Sequence, residues 1–469
     1  MKNKDPHFVS TRGRAPSAGF ANILLAGLAP DGGLYLPEAW PQVSPADRAA
    51  FAKAPYVEVA RQILSLFAGG SFTSDEITDD VYAAYGSFDD PAIAPLVPIG
   101  PDLYLLELFH GPTLAFKDIA LQVLGRMFAR ALAKRGGRAT VVAATSGDTG
   151  SAAIAALGGL PNIDVFVLHP LGRVSEVQRR QMTTSPHANV HNIALEGTFD
   201  DAQAIVKALF AETEFARAVN LTAVNSINFA RIAAQSVYYF TATAALGRAA
   251  TFVVPTGNFG DVFAGEAAMR MGLPVEKLVV ATNANDILFR ALETGVYEPG
   301  AVAPSLSPSM DIQVASNFER ALFEASGRDS AWLRGAMEAF ARDRRLVLPA
   351  KVLASLRERY AAARCDDAAT LDAIRRAHAG SGRLVDPHTA VALSAAYRLN
   401  REAGRPVVVL STAHPAKFPE AVQRATGVLA PVPERLKAVL SGVEKVAVLP
   451  NDRGLVRAHI EAKLGSHVP

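Results

Sequence analysis

From about residue 103 onward the chain alternates short apolar runs with helical stretches, and few folds are compatible with that alternation. The runs are Thr140–Ala144, Ile163–Leu168, Val190–Leu195, Thr251–Val254, Leu278–Ala281 and Pro406–Leu410. Helical patterns lie between them, notably over 173–183 and 200–217. Continuous apolar runs belong to strands buried on both faces, and alternation with helices calls for parallel pairing under two helical layers. The expected class is α/β with open parallel sheets. At about 150 residues per domain, 469 residues imply roughly two to four units.

The flanks read differently. Residues 1–90 form an opening segment with a turn at Pro30–Pro37 and a helix start after Thr73, closed by Pro91, Pro95, Pro98 and Pro101. The stretch 320–380 is rich in Arg and Ala with few strand signals, and is expected to be a helical insertion. Charge narrows the partners: 47 Lys+Arg against 45 Asp+Glu give a net +2, so neither nucleic acid nor an anionic membrane is expected to be a partner. No run of eighteen apolar residues occurs and the N-terminus lacks the apolar core of a signal peptide. The lone Cys365 can form neither an intramolecular disulfide nor a thiolate metal site, which fits a reducing, cytoplasmic setting.

Two strand–loop–helix junctions concentrate small residues: Ala144-Thr-Ser-Gly-Asp-Thr-Gly-Ser-Ala152 and Pro255-Thr-Gly-Asn-Phe-Gly-Asp261. Small residues let an anion approach the backbone, and the helix that follows points free N–H groups at it. Neither junction fits the nucleotide-binding patterns G-x-x-x-x-G-K-[ST] or G-x-G-x-x-G, and a tight turn that binds nothing is the plain alternative. Lys117 opens a helix running to about Arg135 with Leu121, Leu124, Phe128 and Leu132 on one face, and Asp118 could cap it. A lysine at a buried helix start loses hydration and deprotonates more readily, as condensation with a carbonyl requires; taken alone, it is also compatible with a side chain reaching solvent. His187 and His191 have i,i+4 spacing, but Val190–Leu195 reads as a strand, which puts them out of helical register for a metal, and neither H-E-x-x-H nor G-x-S-x-G is present, so no metal site is expected.

Together these segments resemble the threonine synthases, pyridoxal-phosphate enzymes of the tryptophan-synthase-β fold type (fold type II). The resemblance rests on His110-Gly-Pro-Thr-Leu-Ala-Phe-Lys-Asp118, with Ser10–Gly13, Gly33–Pro37, Thr145–Gly150, Asn225-Ser-Ile-Asn228 with Arg231, Pro255–Asp261, Ser309–Gln313, Ser316-Asn-Phe-Glu-Arg320, Asp386–Ala390 and Ser411–Phe418 in the family's order. These motifs span residues 10 to about 420 and look like the bacterial and fungal branch. The fold then expected has two open parallel-sheet domains with an N-terminal extension and a helix-rich insertion. The boundaries are an N-terminal segment over 1–90, a large cofactor domain over 91–128 and 225–430 with the insertion at about 320–380, a small α/β domain over 129–224, and a tail over 431–469.

The resemblance implies that Lys117 holds pyridoxal 5'-phosphate covalently and moves protons. Gly257, Asn258, Phe259, Gly260 and Asp261 would receive the cofactor phosphate, Thr412 would face the pyridine nitrogen, and Asp148 the ring hydroxyl. The implied substrate is O-phospho-L-homoserine. Thr145, Ser146 and Thr149 would take its carboxylate, and Arg173, Ser226, Asn228 and Arg231 its phosphate. The branch implies a monomer or weak homodimer. A dehydratase or phospho-lyase on the same scaffold and a non-catalytic phosphometabolite sensor are the rival readings; the first would yield an oxo acid, the second would need no cofactor lysine.

Overall fold

The computed structural model describes residues 5–222, 226–399 and 404–465, and the chain divides into two units. The larger comprises Met1–Ile23, Leu28–Ala120 and Ser226–Pro431; the smaller comprises Leu24–Gly27, Leu121–Asn225 and Val432–Pro469. The division cuts the helix Lys117–Lys134 after its first turn.

The larger unit is built on six strands in the order Tyr360–Arg364, Val275–Thr282, Ala250–Pro255, Val407–Ser411, Leu103–Glu107, Leu96–Gly100. All neighbours run parallel except the last pair, which is antiparallel. Val407–Ser411 is buried along its whole length, as an apolar run in a covered sheet must be. One face packs Val253, Val279, Leu105 and Val409 against the helix Pro387–Arg398 through Val391, Leu393 and Ala395. On the opposite face Phe252 meets Tyr239 of the helix Phe229–Leu246, ring centroids 4.9 Å apart. Because the central strands are parallel, their carboxyl ends deliver the loops after Glu107, Pro255, Thr282 and Ser411 to one edge, where open α/β sheets bind ligands.

The N-terminal residues join this unit. A small antiparallel sheet of Ala18–Gly19, His7–Ser10 and Tyr35–Pro37 places Phe8 against Phe229 at 5.2 Å, and Phe67 meets the same ring at 5.3 Å. The helix expected after Thr73 is Ser74–Tyr85, opened by a reciprocal Thr73–Glu76 capping box.

Two local differences from the sequence pattern have plain causes. Tyr360–Arg364, inside the expected helical stretch, is an edge strand: pairing with Leu278–Thr282 overrides the helix preference of its three alanines. The stretch 200–217 is two helices, Phe199–Ala211 and Thr213–Ala218, because Glu212 leaves helical geometry at φ −76°, ψ 84°.

The smaller unit holds five parallel strands, ordered Ala447–Pro450, Val190–Glu196, Ile163–Pro170, Ala139–Ala144, Leu221–Thr222. Its core joins Phe166, Leu168, Ile193 and Leu195 to Leu209, Val456 and Ile460. The C-terminal stretch thus supplies both an edge strand and a covering helix, Arg453–Leu464. Among the described residues no helix is long and apolar enough to cross a membrane.

Candidate active site

Lys117 is the first residue of its helix and is 9% exposed, with Nζ 5.2 Å from the centre of the Phe116 ring. The loop that presents it is sewn to the loop after Ser411. Leu108 N–H donates to the Ser411 carbonyl (2.9 Å), Phe116 N–H to Thr412 (2.8 Å), and His414 N–H to Leu114 (3.0 Å). Asp118 does not cap the helix. It is wholly buried and turns back to accept hydrogen bonds from the Thr113 amide and hydroxyl, both at 2.7 Å. Lys417, also buried, donates to the Thr113 carbonyl at 2.9 Å. Burial raises the Asp118 pKa to about 6, against the opposing pull of Thr113 and Lys417. Lys117 is therefore carried on a loop closed from inside.

Thr412 is buried one residue past its strand, its N–H donating to Thr389 Oγ1 at 3.2 Å. Thr389 is held in turn by Asp386, the N-cap of the helix Pro387–Arg398. Asp386 also accepts from the His388 amide (2.8 Å) and lies 2.9 Å from His388 Nδ1. His388 Nε2 accepts the Ser309 N–H at 3.2 Å, so Nδ1 carries the ring proton and donates to Asp386. The Ser309 carbonyl stands where a Cβ on Gly257 would come within 2.8 Å, so only glycine fits at 257. Asp386, His388 and Asp311, which the sequence left without roles, are thus supports. Asp311 accepts from Asn283, Asn285 and Ser305 at 2.6–3.0 Å and ties down the chain next to Ser309.

The glycine turn follows the strand Ala250–Pro255. Phe259 adopts φ 65°, a left-handed conformation its ring sustains by packing on Phe318 and Tyr360, each 5.2 Å away. Among the described residues, the amides of 257–261 donate no hydrogen bond within the chain. A run of amides opening the eleven-residue helix Gly260–Arg270 suits an anion such as a cofactor phosphate. The Asp261 carboxylate is drawn away from that run, with Oδ1 taking hydrogen bonds from Tyr238 and Tyr239. Burial raises its pKa to about 7. The strand bearing this turn lies two places from Leu103–Glu107, about 10 Å at ordinary strand spacing.

Ser226 and Asn228 precede the helix Phe229–Leu246, and Asn228 caps it by accepting the Ala230 N–H at 3.0 Å. Arg231 lies in its first turn, buried, with Nη1 lacking a hydrogen-bond partner among the described residues. Burial draws its pKa down to about 10. Asn225 lies outside the described residues.

In the smaller unit, Thr145 is buried and its Oγ1 accepts the amides of Gly147 (3.0 Å) and Gly150 (2.9 Å), so it shapes the turn from inside. Ser146 is exposed and Thr149 half-buried at the head of the helix Asp148–Leu157. Asp148 is buried and accepts from Gln178 Nε2 at 2.9 Å. Arg173 lies on an exposed loop, because the helix expected from 173 begins at Glu176. The sequence carries no local signal for Tyr238, Tyr239 and His388 as partners, and it assigns no role to Asn317 and Arg320 although both stand in the Ser316–Arg320 motif.

Residues 93–364 match the pyridoxal-phosphate dependent enzyme family, residues 7–85 the threonine synthase N terminus, and residues 389–460 the threonine synthase C-terminal family. A Pseudomonas aeruginosa threonine synthase is 48% identical over 97% of both chains. A solved structure of PLP-bound threonine synthase from Brucella melitensis is 50% identical and superposes with a TM-score of 0.95, covering 98% of this chain and 99% of that one. The yeast threonine synthase structure gives a TM-score of 0.94 at 37% identity, over 98% and 99% of the two chains. The glycine turn, the enclosed lysine and the full-length likeness lead to one assignment: the chain belongs to the threonine synthase family of pyridoxal-phosphate-dependent enzymes, with the fold type II α/β architecture.

Proposed function

We propose that this chain converts O-phospho-L-homoserine and water into L-threonine and phosphate, with Lys117 as the proton-transferring group. Arg231 carries the choice of substrate. A guanidinium stripped of water and left with an unmet N–H is costly until an anion meets it. Ser226 and Asn228 stand just ahead of it, and the positive end of an eighteen-residue helix adds to the field. A phosphate ester on the substrate answers that demand; a plain hydroxy amino acid does not.

The remaining assignments follow the same chemistry. Gly257, Asn258, Phe259, Gly260 and Asp261 would hold the cofactor phosphate through main-chain N–H groups, and Thr412 would offer its hydroxyl to the ring nitrogen. Ser146, Thr149 and the amides beside them take the substrate carboxylate on a turn shaped by Thr145, with Asp148 assigned to the ring hydroxyl. Arg173, on its exposed loop, is a further candidate for the substrate phosphate. Pyridoxal phosphate, when bound, would supply an electron-withdrawing ring as an electron sink. Lys117 Nζ takes the α-proton and shuttles protons at the neighbouring carbons; phosphate leaves Cγ and the water oxygen ends on Cβ. A cytoplasmic enzyme, monomeric or weakly dimeric, completes the reading, and sedimentation of the holoenzyme tests the last point.

Arg231→Gln tests the substrate. The KM for phosphohomoserine should rise about tenfold or more while kcat changes less, and an unchanged KM would contradict the assignment. Product analysis separates the rival: threonine supports the proposal, and 2-oxobutanoate as the main product would make the chain a dehydratase.

A further inference from the structure

Two anion-facing turns of the larger unit, Ser226–Asn228 and Gly257–Gly260, open separate helices, yet one side chain ties them together. Asn317 is wholly buried. Its Nδ2 donates to the Ser226 carbonyl at 3.0 Å and to the Asn258 carbonyl at 3.1 Å, and its own N–H donates to the latter at 3.2 Å. Its Oδ1 accepts from Arg320 Nη1. Arg320 is equally buried and gives Nη2 to the Ile227 carbonyl at 2.6 Å and Nε to the Tyr35 carbonyl at 3.1 Å. Asn258 closes the ring, with Nδ2 donating to Ser226 Oγ and Oδ1 accepting the Ser316 N–H at 2.6 Å.

The consequence follows from peptide planarity. A carbonyl held at one point fixes the plane of its peptide, and so the direction of the N–H on the other side. Pinning the Ser226 carbonyl aims the Ile227 N–H, pinning Ile227 aims that of Asn228, and pinning Asn258 aims that of Phe259. A Cβ on Gly260 would stand 3.3 Å from Asn317 Nδ2, so the two turns and the amide share one tight space.

We propose that Asn317 is a positioning residue that sets the cofactor-phosphate turn and the substrate-phosphate turn together, with Arg320 holding its amide in orientation. This rests on the assignment of Ser226, Asn228 and Arg231 to the substrate phosphate. Because the same donor serves both turns, ordering either one favours the other, and the coupling is reciprocal.

Asn317→Asp is the diagnostic variant, since it keeps an acceptor for Arg320 and places an oxygen where the shared donor was. In the holoenzyme, the KM for phosphohomoserine and the dissociation constant for pyridoxal phosphate should both rise, each about tenfold or more for two lost buried hydrogen bonds. The 31P resonance of the bound cofactor phosphate should move. A change in only one ligand, or a fall in melting temperature with both constants and the resonance unmoved, overturns the proposal. Arg320→Lys serves if the first variant does not fold: it loses the fork but keeps the charge, and should raise KM more than the cofactor constant. Equal or absent effects there also count against it. The underlying assignment fails separately, through an unchanged KM in Arg231→Gln.

Discussion

Buried charge is the theme at the scale of single residues. Asp261 carries a carboxyl whose pKa rises from 3.8 to about 7, chiefly through desolvation and in spite of two tyrosine donors. The folded chain therefore holds this proton more tightly than the unfolded one between those values. The stability it contributes is whole below about pH 4 and is lost as the pH climbs through about 7. Asp261→Asn does not titrate, so its stability relative to wild type should improve on going from pH 5 to pH 8, by a few kcal/mol at most. Urea midpoints of the two proteins across that range check this; a constant difference would contradict it. None of this was legible in the sequence, because Tyr238 and Tyr239 lie more than twenty residues away on another helix. The same holds for Asp118: its position after Lys117 suggested a cap, and only the fold reveals that Thr113 claims it. Lys117 and the glycine turn stood out as candidates from their neighbours, at a helix start and a strand end, whereas Thr412 came only from the resemblance.

At the scale of elements, the strand–loop–helix junctions were readable because β-branched runs and small residues announce them. Tyr360–Arg364 and the break at Glu212 were not, because pairing and local geometry decide them. The support behind the glycine turn gives the sharpest prediction here. Gly257→Ala would place a Cβ 2.8 Å from the Ser309 carbonyl, on a segment held by His388 Nε2. Cofactor affinity should fall about tenfold or more, for a clash that costs a few kcal/mol to relieve. Equilibrium dialysis measures it, and unaltered affinity would show that the Ser309 segment yields freely. His388→Asn should move affinity the same way by a smaller factor, through the lost bond to the Ser309 amide.

Over the whole molecule, the α/β class and parallel pairing were legible in the sequence, and strand order was not, since residues far apart in the chain complete each sheet. Tyr360–Arg364 closes one edge of the larger sheet, and Ala447–Pro450 joins the smaller one from the far end of the chain. Ile460, fully buried beneath that smaller sheet, should cost about 2–5 kcal/mol when cut to Ala. Hydrogen exchange should show the loss in the strands of the smaller unit first; an unchanged exchange profile there would contradict the packing. The proposed chemistry turns on one amine, that of Lys117. Borohydride reduction of the holoenzyme, followed by peptide mass mapping, should place the reduced cofactor on Lys117, with none fixed and no turnover in Lys117→Ala. A label on another lysine, or full activity in that variant, would contradict the account.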